Sequence, residues 1–265
     1  METTKNLPII EIAMAVSVIM AVAFLNIPAQ TQAFSRADIR FLENVENRIF
    51  DLTNKERAKH GLDALKKENT LRTIAREHSS DMFVRDFRDH VNPDGLAPWD
   101  RVAISHRTMI GLVSENIYEY WGTGFDDEKR MAENAVEWWM NSPPHRKNIL
   151  NPESTHLGVG TALRENRVLS TQKFSRVYAY TISPVPEKIR KGAPLNPRAE
   201  PFSRKNKKPE MFELLSLDRK KVAGPFKIEN GKADAPPGTY IIQYWFPAES
   251  GRYTLIRGQR IQITG

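Results

Sequence analysis

The stretch Ala135-Val136-Glu137-Trp138-Trp139-Met140-Asn141-Ser142-Pro143-Pro144-His145-Arg146-Lys147-Asn148-Ile149-Leu150 is the most informative part of the chain. An apolar, aromatic helix end runs into two prolines, and a histidine follows at once. Ser142 suits an N-cap and Pro143 the first position of a new short helix, which would carry His145 in its first turn. The imidazole then lies beside free backbone N–H groups. That setting disfavours the protonated ring and favours a neutral one that accepts a hydrogen bond or binds metal. Taken alone, the stretch reads first as a turn between two helices with a capping or packing histidine.

Working outward, Asp126 or Asp127 can cap the helix that ends at Met140, with Met131, Ala132, Ala135, Trp138 and Trp139 facing inward and Glu133 and Glu137 in solvent. On the other side, residues 155–163 alternate as a strand containing Gly158 and Gly160, and glycine in a strand implies close approach of another backbone or side chain. Glu165-Asn166 turns the chain, and residues 168–174 and 177–182 read as two further strands. Upstream, residues 38–59 read as an amphipathic helix ended by Gly61, and a second helix starts with Asn69 as N-cap. His78 falls on the apolar face of that second helix and reads as a core residue. His90 sits in the polar loop 85–95, where functional side chains are commonly presented. Trp99-Asp100-Arg101 begins another short helix. Glu115, in Ser114-Glu115-Asn116-Ile117, lies between a small turn at Ile110-Gly111 and the aromatic run Tyr118, Tyr120, Trp121. A carboxylate flanked by apolar residues is either paired or unusually proton-hungry. Helices first and antiparallel strands later predict an α+β domain with helices packed on a small sheet.

The 265-residue chain has no cysteine, which excludes disulfides, thiolate metal sites and cysteine nucleophiles. Its formal net charge of +7 permits contact with an anionic surface. Residues 1–33 combine Lys5, an apolar core over residues 12–25 and Thr31-Gln32-Ala33. They predict a signal peptide, or else an N-terminal membrane anchor, and in both cases an extracytoplasmic address. Residues 184–209 hold six prolines, and eight Lys or Arg against two Glu, which predicts an extended, poorly packed basic linker. Residues 210–265 alternate as strands at 240–246 and 260–264, with turns at Asn230-Gly231 and Pro236-Pro237-Gly238, and predict a small all-β module.

Six motifs in order carry a resemblance: Asp51 to Leu62 around Asn54 and Arg57; Ala75 to Met82 around His78; His90 to Gly95; Glu115-Asn116-Ile117; Trp139 to Leu150; and Gly158-Val159-Gly160. The series, over about residues 42–183, resembles the bacterial branch of the CAP superfamily, named after cysteine-rich secretory proteins, antigen 5 and pathogenesis-related 1 proteins. Its domain is also called SCP. The resemblance implies an α-β-α sandwich over residues 38–183, with a central cleft, in a secreted or cell-envelope protein. It also implies a cleft lined by two histidines and two glutamates that sometimes hold a divalent metal such as zinc. His90 is similar to the first histidine, Glu115 to the first glutamate and His145 to the second histidine; where a second glutamate is expected, this chain has Asn141 and Ser142.

The expected cleft residues are thus His90, Glu115, Asn116, Ser142 and His145, with His90, Glu115 and His145 as metal ligands. Two histidines and a carboxylate suffice as protein ligands for zinc, with water completing the shell and open to activation for hydrolysis. Three functions follow as expectations. One is an exported module that binds an unidentified ligand through the cleft. Another is a metal-assisted hydrolase using the same residues. The third is a surface protein that binds an anionic envelope polymer or lipid surface through the basic segment and the β module; no nucleic-acid partner is expected.

Overall fold

The computed structural model describes residues 39–122, 127–203 and 205–265. The predicted signal or anchor at 1–33 lies outside them. Among the described residues no helix is long and apolar enough to cross a membrane.

The chain opens with β1 (Arg40–Phe41) and α1 (Glu43–Lys59), whose inward residues Val45, Ile49 and Thr53 follow the three- to four-residue spacing of one helical face. The helix begins later than residue 38, because Arg40 and Phe41 pair with Leu163 and Ala162 instead. Gly61, at φ 68°, takes the left-handed position after the helix end. β2 (Lys66–Lys67) leads to α2 (Asn69–Val84). Its N-cap is Glu68, not Asn69: the Glu68 carboxylate accepts from the Leu71 N–H at 2.5 Å. α3 (Pro98–Ser105) precedes β3 (Met109–Trp121). The turn expected at Ile110-Gly111 is a bulge within that strand, where a Cβ on Gly111 would meet the Arg176 carbonyl oxygen at 2.5 Å.

α4 (Glu128–Asn141) is capped by Asp127, and α5 (Pro143–Ile149) follows through Ser142. Of the tryptophan pair only Trp139 is buried, with its indole N–H donating to the Ile117 carbonyl at 3.1 Å. Trp138 is 41 % exposed, against the expectation that both face inward, because adjacent helical residues point about 100° apart. β4 (His156–Arg164) and β5 (Arg167–Thr181) complete the domain, β5 running unbroken where two strands were expected.

The first sheet has the order β1-β4-β5-β3, with β2 added beside β4, and β3 runs antiparallel to β5 along its whole length. Side chains alternate across it. Leu157, Val159 and Phe174 pack with Val45 and Ile49 of α1, Ala135 and Trp139 of α4 and Ile149 of α5. On the opposite face Met109, Val177, Ile117 and Leu169 meet α2 and α3 through Leu71, Ile74, Met82 and Val102. Helices on both faces make the α-β-α sandwich. The two strand glycines set the seat of α2: a Cβ on Gly158 or Gly160 would lie 2.2 Å from the Arg72 nitrogen or 2.1 Å from the Arg76 nitrogen.

The remaining strands are β6 (Lys188–Arg190), β7 (Ala199–Pro201), β8 (Met211–Leu215), β9 (Lys221–Lys227), β10 (Gly238–Pro247) and β11 (Tyr253–Thr264). The second sheet has the order β6-β11-β10-β8-β9, while β7 joins the first sheet beside β5. The described part of the segment, 184–203 and 205–209, includes the short strands β6 and β7, and it is not poorly packed. Val185, Leu195 and Ala199 are buried in one core with Ile110, Phe212, Ile242 and Tyr244. The prolines remove donors without preventing the intervening residues from joining sheet edges. The two sheets are also tied by Gln259 Nε2, which donates to the Met109 carbonyl at 2.9 Å, and the Arg260–Asp100 ion pair ties β11 to α3.

Candidate functional site

Glu115 lies on β3, the last strand of the main sheet path, directly opposite Lys173 of β5. In an antiparallel pair such residues point to the same face, here the one covered by α2. Both side chains are fully buried, and Lys173 Nζ donates to Glu115 Oε2 at 2.5 Å. Arg101 from α3 donates through Nη2 to the same oxygen at 2.8 Å and to Oε1 at 3.1 Å. Oε1 also receives His90 Nδ1 at 2.9 Å, and His78 Nε2 stands 3.6 Å from it. Burial alone would raise the Glu115 carboxyl; Lys173, the hydrogen bond from His90, Arg101 and His78 outweigh it and hold the group well below the usual carboxylate range. Burial pushes the Lys173 ammonium down to about 8, against the pull of Glu115.

His90 is held in place twice over. Arg101 Nη1 grips its backbone carbonyl at 2.9 Å while its ring leans on Glu115, yet its side chain remains 48 % exposed. A neutral ring that donates from Nδ1 leaves its Nε2 lone pair for a ligand. His78, read from the sequence as a core residue, is buried but belongs to this charged cluster. Its Nε2 bonds the Asp89 carbonyl at 3.1 Å, and its Nδ1 has no partner among the described residues. Burial lowers it to about 4; Glu115 opposes the fall, and Arg101 and Lys173 add to it.

Asn116 leaves β3 on the other face. Its Nδ2 donates to the His145 carbonyl at 3.1 Å and to Gln172 Oε1 at 3.0 Å, and its Oδ1 accepts from Asn148 at 2.8 Å. Asn148 also reaches the Glu115 carbonyl at 3.2 Å, and Arg57 binds the carbonyls of Ile149 and Asn151, both at 2.8 Å. These bonds fix α5 and so aim His145. Ser142 occupies the N-cap position, but its hydroxyl makes no cap hydrogen bond; it pairs with His145 Nδ1 at 2.7 Å. The His145 ring packs against exposed Trp138, centroids 4.9 Å apart. Burial lowers its pKa, and the nearby charges of His90 and Arg88 lower it further.

The structure therefore joins His90 to Glu115, and Asn116 and Ser142 to His145, but it does not assemble the expected ligand triad. Among the described residues no group of three His, Cys, Asp or Glu is arranged to hold a metal ion, and none of His145's side-chain contacts reaches Glu115. The donor set does not fit a divalent cation: a carboxylate offers about four lone-pair positions, and here four hydrogen bonds fill them, two from Arg101, one from Lys173 and one from His90. Sequence reasoning missed Arg101 and Lys173. A lysine at an inward-facing strand position was the available signal, since a buried ammonium requires an anionic partner.

Residues 50–174 match the model of the cysteine-rich secretory protein family, CAP. Over these residues the chain is a CAP domain. It is 39 % identical over 132 residues to the uncharacterized Bacillus subtilis protein YkwD, covering 49 % of this chain and 46 % of that one. It is 36 % identical over 129 residues to the uncharacterized membrane protein YlbC of the same organism, covering 49 % of this chain and 34 % of YlbC. The chain thus spans about half of one relative and a third of the other. An extracellular SCP-domain protein from Bacillus anthracis is 32 % identical, with a TM-score of 0.43 over 51 % of this chain and 41 % of that one. A structure of NaASP2 with Zn2+ is 12 % identical, with a TM-score of 0.40 over 51 % and 81 % of the two chains. The CAP domain here differs from its family name in having no cysteine.

Proposed function

We propose that the CAP domain acts outside the cytoplasm as a binding module, and that its ligand is held at the wall formed by His90, His145 and Trp138. The observation that carries this reading is the way His90 is presented. Its ring is half exposed, yet Nδ1 is anchored on a buried carboxylate and its backbone on Arg101. A solvent-facing imidazole with its orientation fixed is prepared to make one directional hydrogen bond without losing rotamer freedom on binding. Beside His145, the exposed Trp138 ring supplies an apolar face for the same ligand. The apolar N-terminal run of the sequence and the description of YlbC as a membrane protein support an envelope address.

A metal-assisted hydrolase is not supported by this donor set, because Glu115 has no oxygen left to give. The reading of a basic surface keeps one supporting observation: Lys205, Lys207 and Lys208 are exposed although the segment around them is packed. Co-sedimentation with purified bacterial cell wall and with phosphatidylglycerol vesicles separates the two. Loss of retention in Trp138→Ala and His145→Ala supports the wall of the cleft. Loss only in the triple Lys205→Glu, Lys207→Glu, Lys208→Glu variant moves the binding surface to the basic segment.

A further inference from the structure

His78 and Arg101 each hold one nitrogen out of the bonds around Glu115. His78 Nε2 faces the Asp89 carbonyl and the Glu115 carboxylate, both acceptors, so it carries the ring proton and Nδ1 keeps a lone pair. Arg101 commits both terminal nitrogens to His90, Leu96 and Glu115, which leaves its Nε proton. Neither His78 Nδ1 nor Arg101 Nε has a partner among the described residues, and both side chains are more than nine-tenths buried. The two residues line one cavity of about 330 Å³ between α2, the loop that follows it and α3. No lining residue belongs to the wall formed by His90, His145 and Trp138. Such a volume lies at the small end of ligand pockets, which run from about 300 to 1,000 Å³.

The charges of this cavity do not balance. Arg85 is taken by Asp81 and Asp94, and Arg101 and Lys173 by Glu115 behind the floor. Glu77 is the remaining carboxylate, and it makes no ion pair or hydrogen bond among the described residues. The site thus offers a buried acceptor, a buried donor and an unpaired negative charge. We propose that it binds a small hydroxylated amine, of the size and chemistry of one amino sugar, whose ammonium pairs with Glu77 and whose hydroxyls donate to His78 Nδ1 and accept from Arg101 Nε. A hydroxyl both donates and accepts, so one kind of group answers both buried nitrogens. An anionic ligand would meet Glu77 as a like charge, and an apolar one would leave both nitrogens unpaired. Leu96 and Ile104 give the carbon face of the ligand an apolar contact. The inference does not depend on whether the cleft binds a ligand.

The test is an NMR chemical-shift titration of the full chain with D-glucosamine, just below neutral pH so that the amine is charged. D-Glucose and D-gluconate serve as the neutral and anionic arms, and circular dichroism as the folding control. Glucosamine is expected to shift the His78 side-chain and Ser105 amide signals saturably, at least about threefold more tightly than glucose, and gluconate to give no saturable shift. Glu77→Gln should lower glucosamine to the level of glucose. Ser105 is exposed at the cavity, and Ser105→Trp, which fills it, should abolish binding of both sugars. The proposal is overturned if glucosamine gives no saturable shift at these signals, if glucose or gluconate binds as tightly, or if Glu77→Gln changes nothing. A folded Ser105→Trp chain that still binds overturns it as well. Should Ser105→Trp not fold, Ile104→Trp takes its place under the same expectation.

Discussion

Two glutamates in this molecule each stand between two histidines, and they are used differently. Glu115 has His78 and His90, and the basic side chains of Arg101 and Lys173 besides. Glu68, at the start of α2, has His106 Nε2 at 3.4 Å and lies near His156, which is packed against Phe202 and Tyr180. Its carboxylate spends one oxygen on capping the helix. The Glu68 cluster thus serves the backbone, and its histidines are buried. The Glu115 cluster is neutralised internally, which frees His90 to face solvent. Residue composition alone would assign both to the same role; the cations that touch each carboxylate distinguish them.

The sharpest way to break the comparison is to remove a cation from one side only. Lys173→Ala leaves a buried carboxylate short of a partner and a void beside it, and should cost about 3–5 kcal/mol in urea denaturation. An equal loss from Glu68→Gln would show that the two clusters are equivalent. Next in size is the response to acid. His78 and His156 both have folded pKa values near 4, against an ordinary value of 6.5. The unfolded chain therefore binds more protons between those values. Stability should fall as pH drops from 6.5 to 4, by at most about 3 kcal/mol for each histidine. Glu115 and Glu68, whose folded pKa values are lowered, lose their contributions further down, as pH falls below 4.5. His78→Gln and His156→Gln should each flatten the stability curve over the upper window, and a curve unchanged in either variant removes that residue from the account.

Both clusters hang on α2, so moving the helix should disturb them together. Gly160→Ala forces a Cβ into the Arg76 backbone and should destabilise the domain by about 1–3 kcal/mol. The histidine side-chain NMR signals of both clusters should shift; movement in one alone would mean that α2 does not couple them. The smallest effect belongs to the cap. Glu68→Ala should cost about 0.5–2 kcal/mol, read from the thermal midpoint, with the His90 resonances unchanged.

Much of this was legible beforehand because it is periodic. The apolar spacing of α1, α2 and α4 gave their existence and, Trp138 apart, their faces, and Gly158 with Gly160 announced a close approach to the strand. The choice set for Glu115, paired or proton-hungry, also follows from one charged residue among apolar ones, and the structure decides it for pairing. What was not legible depended on contacts between distant segments. Arg101 is an ordinary first-turn arginine until α3 is placed over β3, and Lys173 is one lysine in a polar strand segment until β3 supplies its counter-ion. His78 looked like core since burial and charge pairing leave the same mark on one helical face. The basic segment 184–209 was misread in the other direction: proline content describes backbone conformation and says nothing of whether Val185, Leu195 and Ala199 find a core.

The Glu115–Lys173 pair also acts on how the chain assembles. β3 and β5 pair over most of their length, and a slip of two residues would keep every side chain on its proper face. Apolar alternation does not detect that error. A slip would, however, set Glu115 against Thr171 or Ser175 and leave an ammonium and a carboxylate buried apart from each other. The charges thus work as a checksum on strand pairing, admitting one alignment of the two longest strands in the CAP domain and rejecting those that hydrophobicity would let pass.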